Sequence, residues 1–90
     1  MRYRAEVSKG AEQQLAKFPQ KVRDRLERAI DELEEKDGLP MEQYEGAAGP
    51  AMEGRRRKRV GDYRIILRKF PDRGVVEISA ILIKSKGTYR

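Results

Sequence analysis

The first seven residues, MRYRAEV, alternate in character, with Met1, Tyr3, Ala5 and Val7 on one side and Arg2, Arg4 and Glu6 on the other. A period of two predicts a half-buried strand. Ser8 follows where a helix N-cap would accept backbone N–H groups, and Ala11, Leu15 and Phe18 recur at roughly helical spacing. A first helix is therefore predicted over about residues 9 to 17. Pro19 disfavours helix at Phe18 and suits the first turn of a new one. From Pro19 to Lys36 the apolar positions are Val22, Leu26, Ala29, Ile30 and Leu33, in steps of 4, 3, 1 and 3, which form one stripe on a longer second helix. Its other faces are filled with charge: Lys21/Arg25 repel, while Asp24/Arg28 and Arg28/Glu32 mix signs. Such a surface reads as a solvated helical face, with no acidic catalytic role.

After Asp37-Gly38 the segment LPMEQYEGAAGPAME has no period, and its Pro, Gly and Ala predict a surface loop with at most one short turn. Loops of that length are often functional or mobile. It contains no GxxxxGK pattern and launches no helix, so it is not a phosphate-binding glycine loop. Residues 53 to 60 and 63 to 70 then flank Gly61-Asp62, a two-residue hairpin turn. A second turn at Pro71-Asp72-Arg73-Gly74 leads into a last strand, GVVEISAILI, over residues 74 to 83, and the tail KSKGTYR closes the chain. The predicted order is a strand, a helical hairpin and a three-stranded antiparallel meander. This is an α+β domain spanning residues 1 to 90.

The hairpin turn fixes which residues oppose each other: Val60 with Tyr63, Arg59 with Arg64, Lys58 with Ile65, Arg57 with Ile66, Arg56 with Leu67 and Arg55 with Arg68. Opposed residues share a face and successive residues alternate. One face thus carries Val60, Tyr63, Ile65 and Leu67, bordered by the stems of Arg56 and Lys58, and packs on the helices. The other carries Arg55, Arg57, Arg59, Arg64 and Arg68, interrupted only by Ile66. Like charges directly opposite destabilise a sheet, and no acidic residue occurs between Glu53 and Asp62 or between Asp62 and Asp72 to relieve them. Arginine grips phosphate or carboxylate in a bidentate fork, so this face is expected to bind an anion, either nucleic acid or an acidic peptide.

Composition sharpens that expectation. Ninety residues with 38% hydrophobic and 40% charged content allow one domain with a thin core. The absence of Cys and His removes thiolate chemistry, the commonest metal ligands and the commonest acid/base side chain, so any chemistry must use Lys, Arg, Tyr and carboxylates. Residues 1 to 53 hold 9 Lys+Arg against 12 Asp+Glu, a balance of −3, whereas residues 54 to 90 hold 12 against 3, a balance of +9. A polycationic half favours nucleic acid over a membrane as partner. No apolar run of about 18 residues and no signal-peptide centre is present, so a cytoplasmic location is expected.

The short strand, the helical hairpin AEQQLAKFPQKVRDRLERAIDEL and the run RVGDYRIIL together resemble the RelE/ParE superfamily of toxins from toxin–antitoxin modules. The resemblance covers nearly the whole chain and is most specific at RVGDYRII. The tail KSKGTYR is similar to the basic, Tyr-containing C-terminal segment of the RelE branch. What this implies is two helices packed on one face of a small antiparallel sheet. It also implies either metal-independent cleavage of messenger RNA on the ribosome, as in the RelE branch, or poisoning of DNA gyrase, as in the ParE branch. By the same resemblance Arg55 and Arg57 fall where the RelE branch has basic active-site residues, often lysines. Arg64 matches its phosphate-gripping arginine, Lys84 or Lys86 its later basic residue, and Tyr89 its C-terminal tyrosine. Further implied partners are a cognate antitoxin that folds on the toxin and operator DNA reached only through the toxin–antitoxin complex.

RNA cleavage by 2′-hydroxyl attack needs a base, positive charge for the phosphorane and an acid for the leaving 5′ oxygen. A guanidinium stays protonated, so the base falls to lysine, whose pKa neighbouring cations and desolvation depress. Lys58 lies on the helix-facing side of the hairpin, which leaves Lys84 and Lys86. Arg64, with Arg55 and Arg57, would hold the scissile phosphate, and Arg59 and Arg68 neighbouring ones. Tyr89 would stack on a base or protonate the leaving group. A gyrase inhibitor would use the same face only for docking, and a non-catalytic nucleic-acid-binding module would bind without cutting.

Overall fold

The computed structural model describes residues 2–41, 44–46 and 54–83. The elements are β1 (Arg4–Val7), α1 (Lys9–Ala16), α2 (Gln20–Glu35), β2 (Glu45–Gly46), β3 (Arg56–Val60), β4 (Tyr63–Phe70) and β5 (Val75–Ile83). Ser8 caps α1 as its position predicts: its backbone is extended and its Oγ accepts a hydrogen bond from the Ala11 N–H at 3.2 Å. Pro19 stands one residue before α2, at its N-cap. The helix then turns Leu26, Ala29, Ile30 and Leu33 inward, the stripe that the spacing predicts.

The strands form one sheet in the order β1-β5-β4-β3-β2. From β2 to β5 neighbours are antiparallel, while β1 lies parallel beside β5 with Arg4 opposite Val75. β2 and the buried side chain of Leu39 both fall in the expected surface loop, so its described part adds a strand and a core residue. Gly38 and Leu39 both have positive φ, 72° and 43°, and this left-handed turn folds Leu39 back beneath the sheet. The Lys69 ammonium holds the turn by donating to the Gly38 and Leu39 carbonyls at 2.6 and 3.2 Å.

The core lies between the helices and one sheet face, where Leu26, Leu33, Leu39, Ile65, Leu67, Val76, Ile78 and Ile81 are buried together. At about 1.5–3 kcal/mol for each large side chain, such residues carry most of the favourable term in so small a domain. β5 reaches this arrangement through a bulge: Ile66 pairs with Ala80 but Leu67 with Ile78, leaving Ser79 as an extra residue. Both Ile78 and Ile81, three apart, therefore face the helices. Where β5 outruns β1, side chains take over its backbone groups. Ser8 Oγ donates to the Ser79 carbonyl at 3.1 Å, and the Ile81 N–H donates to Gln14 Oε1 at 2.8 Å. On the free edge of β1, the Ala5 N–H donates to Glu34 Oε2 at 2.8 Å. These contacts blunt two lengths of strand edge that could otherwise pair with another chain. Among the described residues no helix is long and apolar enough to cross a membrane.

Candidate nucleic-acid interface

The sheet surface away from the helices is set by the register of β3 and β4. Arg56 opposes Leu67, Arg57 Ile66, Lys58 Ile65, Arg59 Arg64 and Val60 Tyr63, five of the six pairs the turn predicts. Gly61 has φ 59°, the left-handed conformation that a two-residue hairpin turn demands. Arg57, Arg59, Arg64 and Arg68 consequently share the outer face. Arg59 and Arg68 are exposed, while Arg57 and Arg64 are half-buried. Ile66 lies among them with Arg57 and Ala80 as cross-strand neighbours and is nonetheless only 2% exposed. It gives the face an apolar centre.

Two of the arginines are braced. Arg64 Nη1 donates to the Gly61 and Tyr63 carbonyls at 3.2 and 3.0 Å, so its guanidinium is tied to the hairpin turn beside Arg59. Its Nε and Nη2 have no partner among the described residues and remain available to an anion. Arg55 Nε donates to Ser79 Oγ at 3.2 Å, and that hydroxyl donates to Glu77 Oε1 at 3.0 Å. The bulge residue therefore links Arg55 to a carboxylate, a connection no spacing in the sequence announces.

Glu77 also corrects the expectation of an uncompensated cationic face. It pairs directly with Arg68 across β4 and β5, and Glu6 lies beside it on β1 with Arg4 2.8 Å away. The acidic residues come from β1 and β5, distant in sequence from the hairpin. Arg68 and Arg73 both lie over the Phe70 ring, at 5.1 and 5.4 Å from its centroid. The face is thus graded. Its β1 end is neutralised, and its hairpin-tip end, with Arg57, Arg59 and Arg64, is the cationic part.

On the helix side, Lys58 takes the position its register predicts, with its ammonium 5.7 Å from the Tyr44 ring centroid. It is thereby separated from the arginine face. Tyr63 packs edge-on against Phe18, with ring centroids 5.2 Å apart, a core role. Lys84, Lys86 and Tyr89 lie outside the described residues. No group of three acidic side chains among the described residues converges as a metal site would require.

A family model described as the ParE toxin of type II toxin–antitoxin systems matches residues 5–86. The chain belongs to this toxin family. Solved structures share the fold of this toxin. The archaeal RelE–RelB complex from Pyrococcus horikoshii superposes with a TM-score of 0.71 at 24% identity, covering 96% of this chain and 99% of that one. The toxin–antitoxin complex RelBE2 from Mycobacterium tuberculosis gives 0.74 at 20% identity, covering 91% of each chain. The isolated RelE toxin of E. coli gives 0.75 at 16% identity, covering 93% and 86%. No curated protein matches the chain in sequence. The toxin family thus combines here with a sheet whose outer surface is dominated by arginine at the hairpin tip.

Proposed function

We propose that this toxin is a ribosome-dependent, metal-independent endoribonuclease that arrests translation by cutting messenger RNA. The observation that carries the reading is the set of Arg57, Arg59 and Arg64 on the solvent face of the hairpin, with Arg64 anchored to the turn so that its remaining donors need no reorganisation. In the reaction the 2′-hydroxyl oxygen attacks the adjacent phosphorus and the bond to the 5′ oxygen breaks. The products are a 2′,3′-cyclic phosphate and a 5′-hydroxyl end. Arg64 would bind the phosphoryl oxygens as charge builds on them, Arg57 and Arg55 would hold that phosphate's surroundings, and Arg59 and Arg68 would hold flanking phosphates. Lys84 or Lys86 would take the 2′ proton and Tyr89 would stack on a base or return a proton to the 5′ oxygen. With cations of this kind and no histidine, orientation by the ribosome supplies much of the rate, since positioning alone is worth several kcal/mol.

A cognate antitoxin is part of the same proposal. Two of the solved relatives described above are toxin–antitoxin complexes. Here Leu82 and Ile83 are 42% and 53% exposed at the end of β5, next to Phe18, and offer an apolar strip for a partner that folds on binding. Operator DNA would be met only through that complex.

A second reading, inhibition of DNA gyrase, draws on the ParE character of the matched family model and on arginine at positions 55 and 57, where a guanidinium cannot act as base. Translation in a cell-free bacterial extract, with the 5′ ends of the message mapped, separates the two. Wild-type protein is expected to cut at ribosome-occupied codons, and Arg64→Ala to lower the cutting rate by about 10²–10³, the usual loss for one donor to a transition-state oxyanion. An intact message with normal translation, beside inhibited supercoiling in a gyrase assay, would replace the nuclease by the gyrase reading.

A further inference from the structure

The hairpin has a second cationic concavity on its other side. A cleft of about 210 Å³ opens between α2 and β3, with Arg25, Arg28 and Glu32 on the helix and Lys58 and Arg59 on the strand. At about 30 Å³ per water, it would admit a phosphate with part of its hydration shell. Four cations face one carboxylate there. A shallower concavity beside it is lined by Lys21 and again by Arg25 and Arg28, so cations at i, i+4 and i+7 of α2 make one continuous row.

These charges are not absorbed by the helix. Asp24 and Glu32 stand four residues to either side of Arg28, yet neither Arg25 nor Arg28 forms an ion pair or hydrogen bond with a described residue. Arg25 instead reaches across to the hairpin tip, where its Nη2 would lie 2.8 Å from a Cβ built on Gly61. Glycine at 61 thus serves the left-handed turn and also leaves room for this guanidinium. Arg59 lines the cleft from a strand whose outer face it also occupies, so the cleft and the arginine face meet at the tip.

We propose that the cleft between α2 and β3 is a phosphate-binding subsite for an RNA backbone, which takes a phosphate neighbouring those held on the sheet face. Two arginine forks at a helix–strand corner suit the tetrahedral oxygens of a phosphodiester better than lysines would. The strand of RNA crosses the arginine face, passes the tip at Val60 and Gly61 and presents its next phosphate to Arg25 and Arg28. This inference rests on the RNA reading of the sheet face for the identity of the polyanion.

The test is binding of a short single-stranded RNA, followed by fluorescence anisotropy over about 50 to 200 mM salt, a range that resolves phosphate contacts. Arg25→Gln/Arg28→Gln changes only exposed side chains and keeps helix propensity, and an unchanged circular dichroism melt verifies the fold. At about 0.7 per single-strand phosphate contact, the slope of log K against log salt should fall by up to about 1.4, with binding weakened roughly tenfold at the lower salt. Glu32→Gln should tighten binding a few-fold, an effect of opposite sign that misfolding would not give. A slope unchanged in Arg25→Gln/Arg28→Gln but reduced in Arg57→Gln/Arg64→Gln would overturn the cleft and leave the RNA face standing. A slope unchanged in both would overturn both readings. Loss of binding to a polyglutamate peptide with the RNA slope intact would reassign the cleft to a protein partner.

Discussion

Leu39 adopts a left-handed backbone, φ 43°, at a real energetic cost for a side chain with a Cβ, and it is fully buried in return. The hydrophobic contact it gains, together with the Lys69 hydrogen bonds to the turn carbonyls, holds the strained turn in place. Leu39→Ala is therefore expected to lose about 2–5 kcal/mol, the range for emptying a buried leucine site, measured as a lowered midpoint in urea with little change in slope. A loss below about 1 kcal/mol would mean that the turn collapses into the space and that Leu39 is not structural. Nothing in LPMEQYEGAAGPAME marks Leu39 as core, because a single apolar residue followed by proline has no period to read. The pairs across Gly61-Asp62 are legible for the opposite reason. A two-residue turn fixes register locally, and five of the six pairs it dictates are the ones the structure forms. The sixth, Arg55 with Arg68, is not among the paired residues, since β3 begins at Arg56 and Arg55 turns to Ser79.

At the level of elements, the helices and the hairpin follow their periods, and β5 does not. Read as a regular strand, VVEISAILI would put Val76, Ile78, Ala80 and Leu82 on one face and leave Ile81 on the other. The bulge at Ser79 reverses the phase, so Ile81 is 2% exposed and Leu82 is 42% exposed. The bulged strand also delivers the Ser79 hydroxyl to Arg55 and its carbonyl to Ser8. Deleting Ser79 removes the extra residue while keeping Val76, Ile78, Ile81 and Ile83 in alternation on the helix side. The deletion variant is expected to fold, with a cooperative melt and a loss of roughly 2–4 kcal/mol for the three hydrogen bonds that Ser79 makes to Arg55, Glu77 and Ser8. RNA binding should weaken at the same time, because Arg55 loses the hydroxyl that aims it. Failure to fold would show that the bulge also sets the strand twist on which core packing depends, a role that bulges often have.

Across the whole molecule, charge is arranged at some expense to stability. The sequence is legible in its imbalance, −3 before residue 54 and +9 from there on, but the folded distribution is finer than that. Long-range pairing of β1 with β5 brings Glu6 and Glu77 onto the outer face and neutralises its far end, which no local pattern could reveal. At the hairpin tip Arg59 directly opposes Arg64, with the cations of α2 just around the corner. If that repulsion is kept for an anionic ligand, relieving it should trade binding for stability, as functional sites commonly do. Arg59→Glu replaces a like-charged cross-strand pair by an opposite one and should raise stability by about 0.2–1 kcal/mol, toward the lower end because position 59 is exposed. The same variant should weaken RNA binding roughly tenfold and flatten its salt dependence by about 0.7, the value of one phosphate contact. Urea denaturation and anisotropy on one preparation give both numbers. A stability gain with RNA binding intact would make the Arg59–Arg64 pair a tolerated defect of the surface. A loss in both would show that Arg59 holds the tip together and that its charge has a structural purpose.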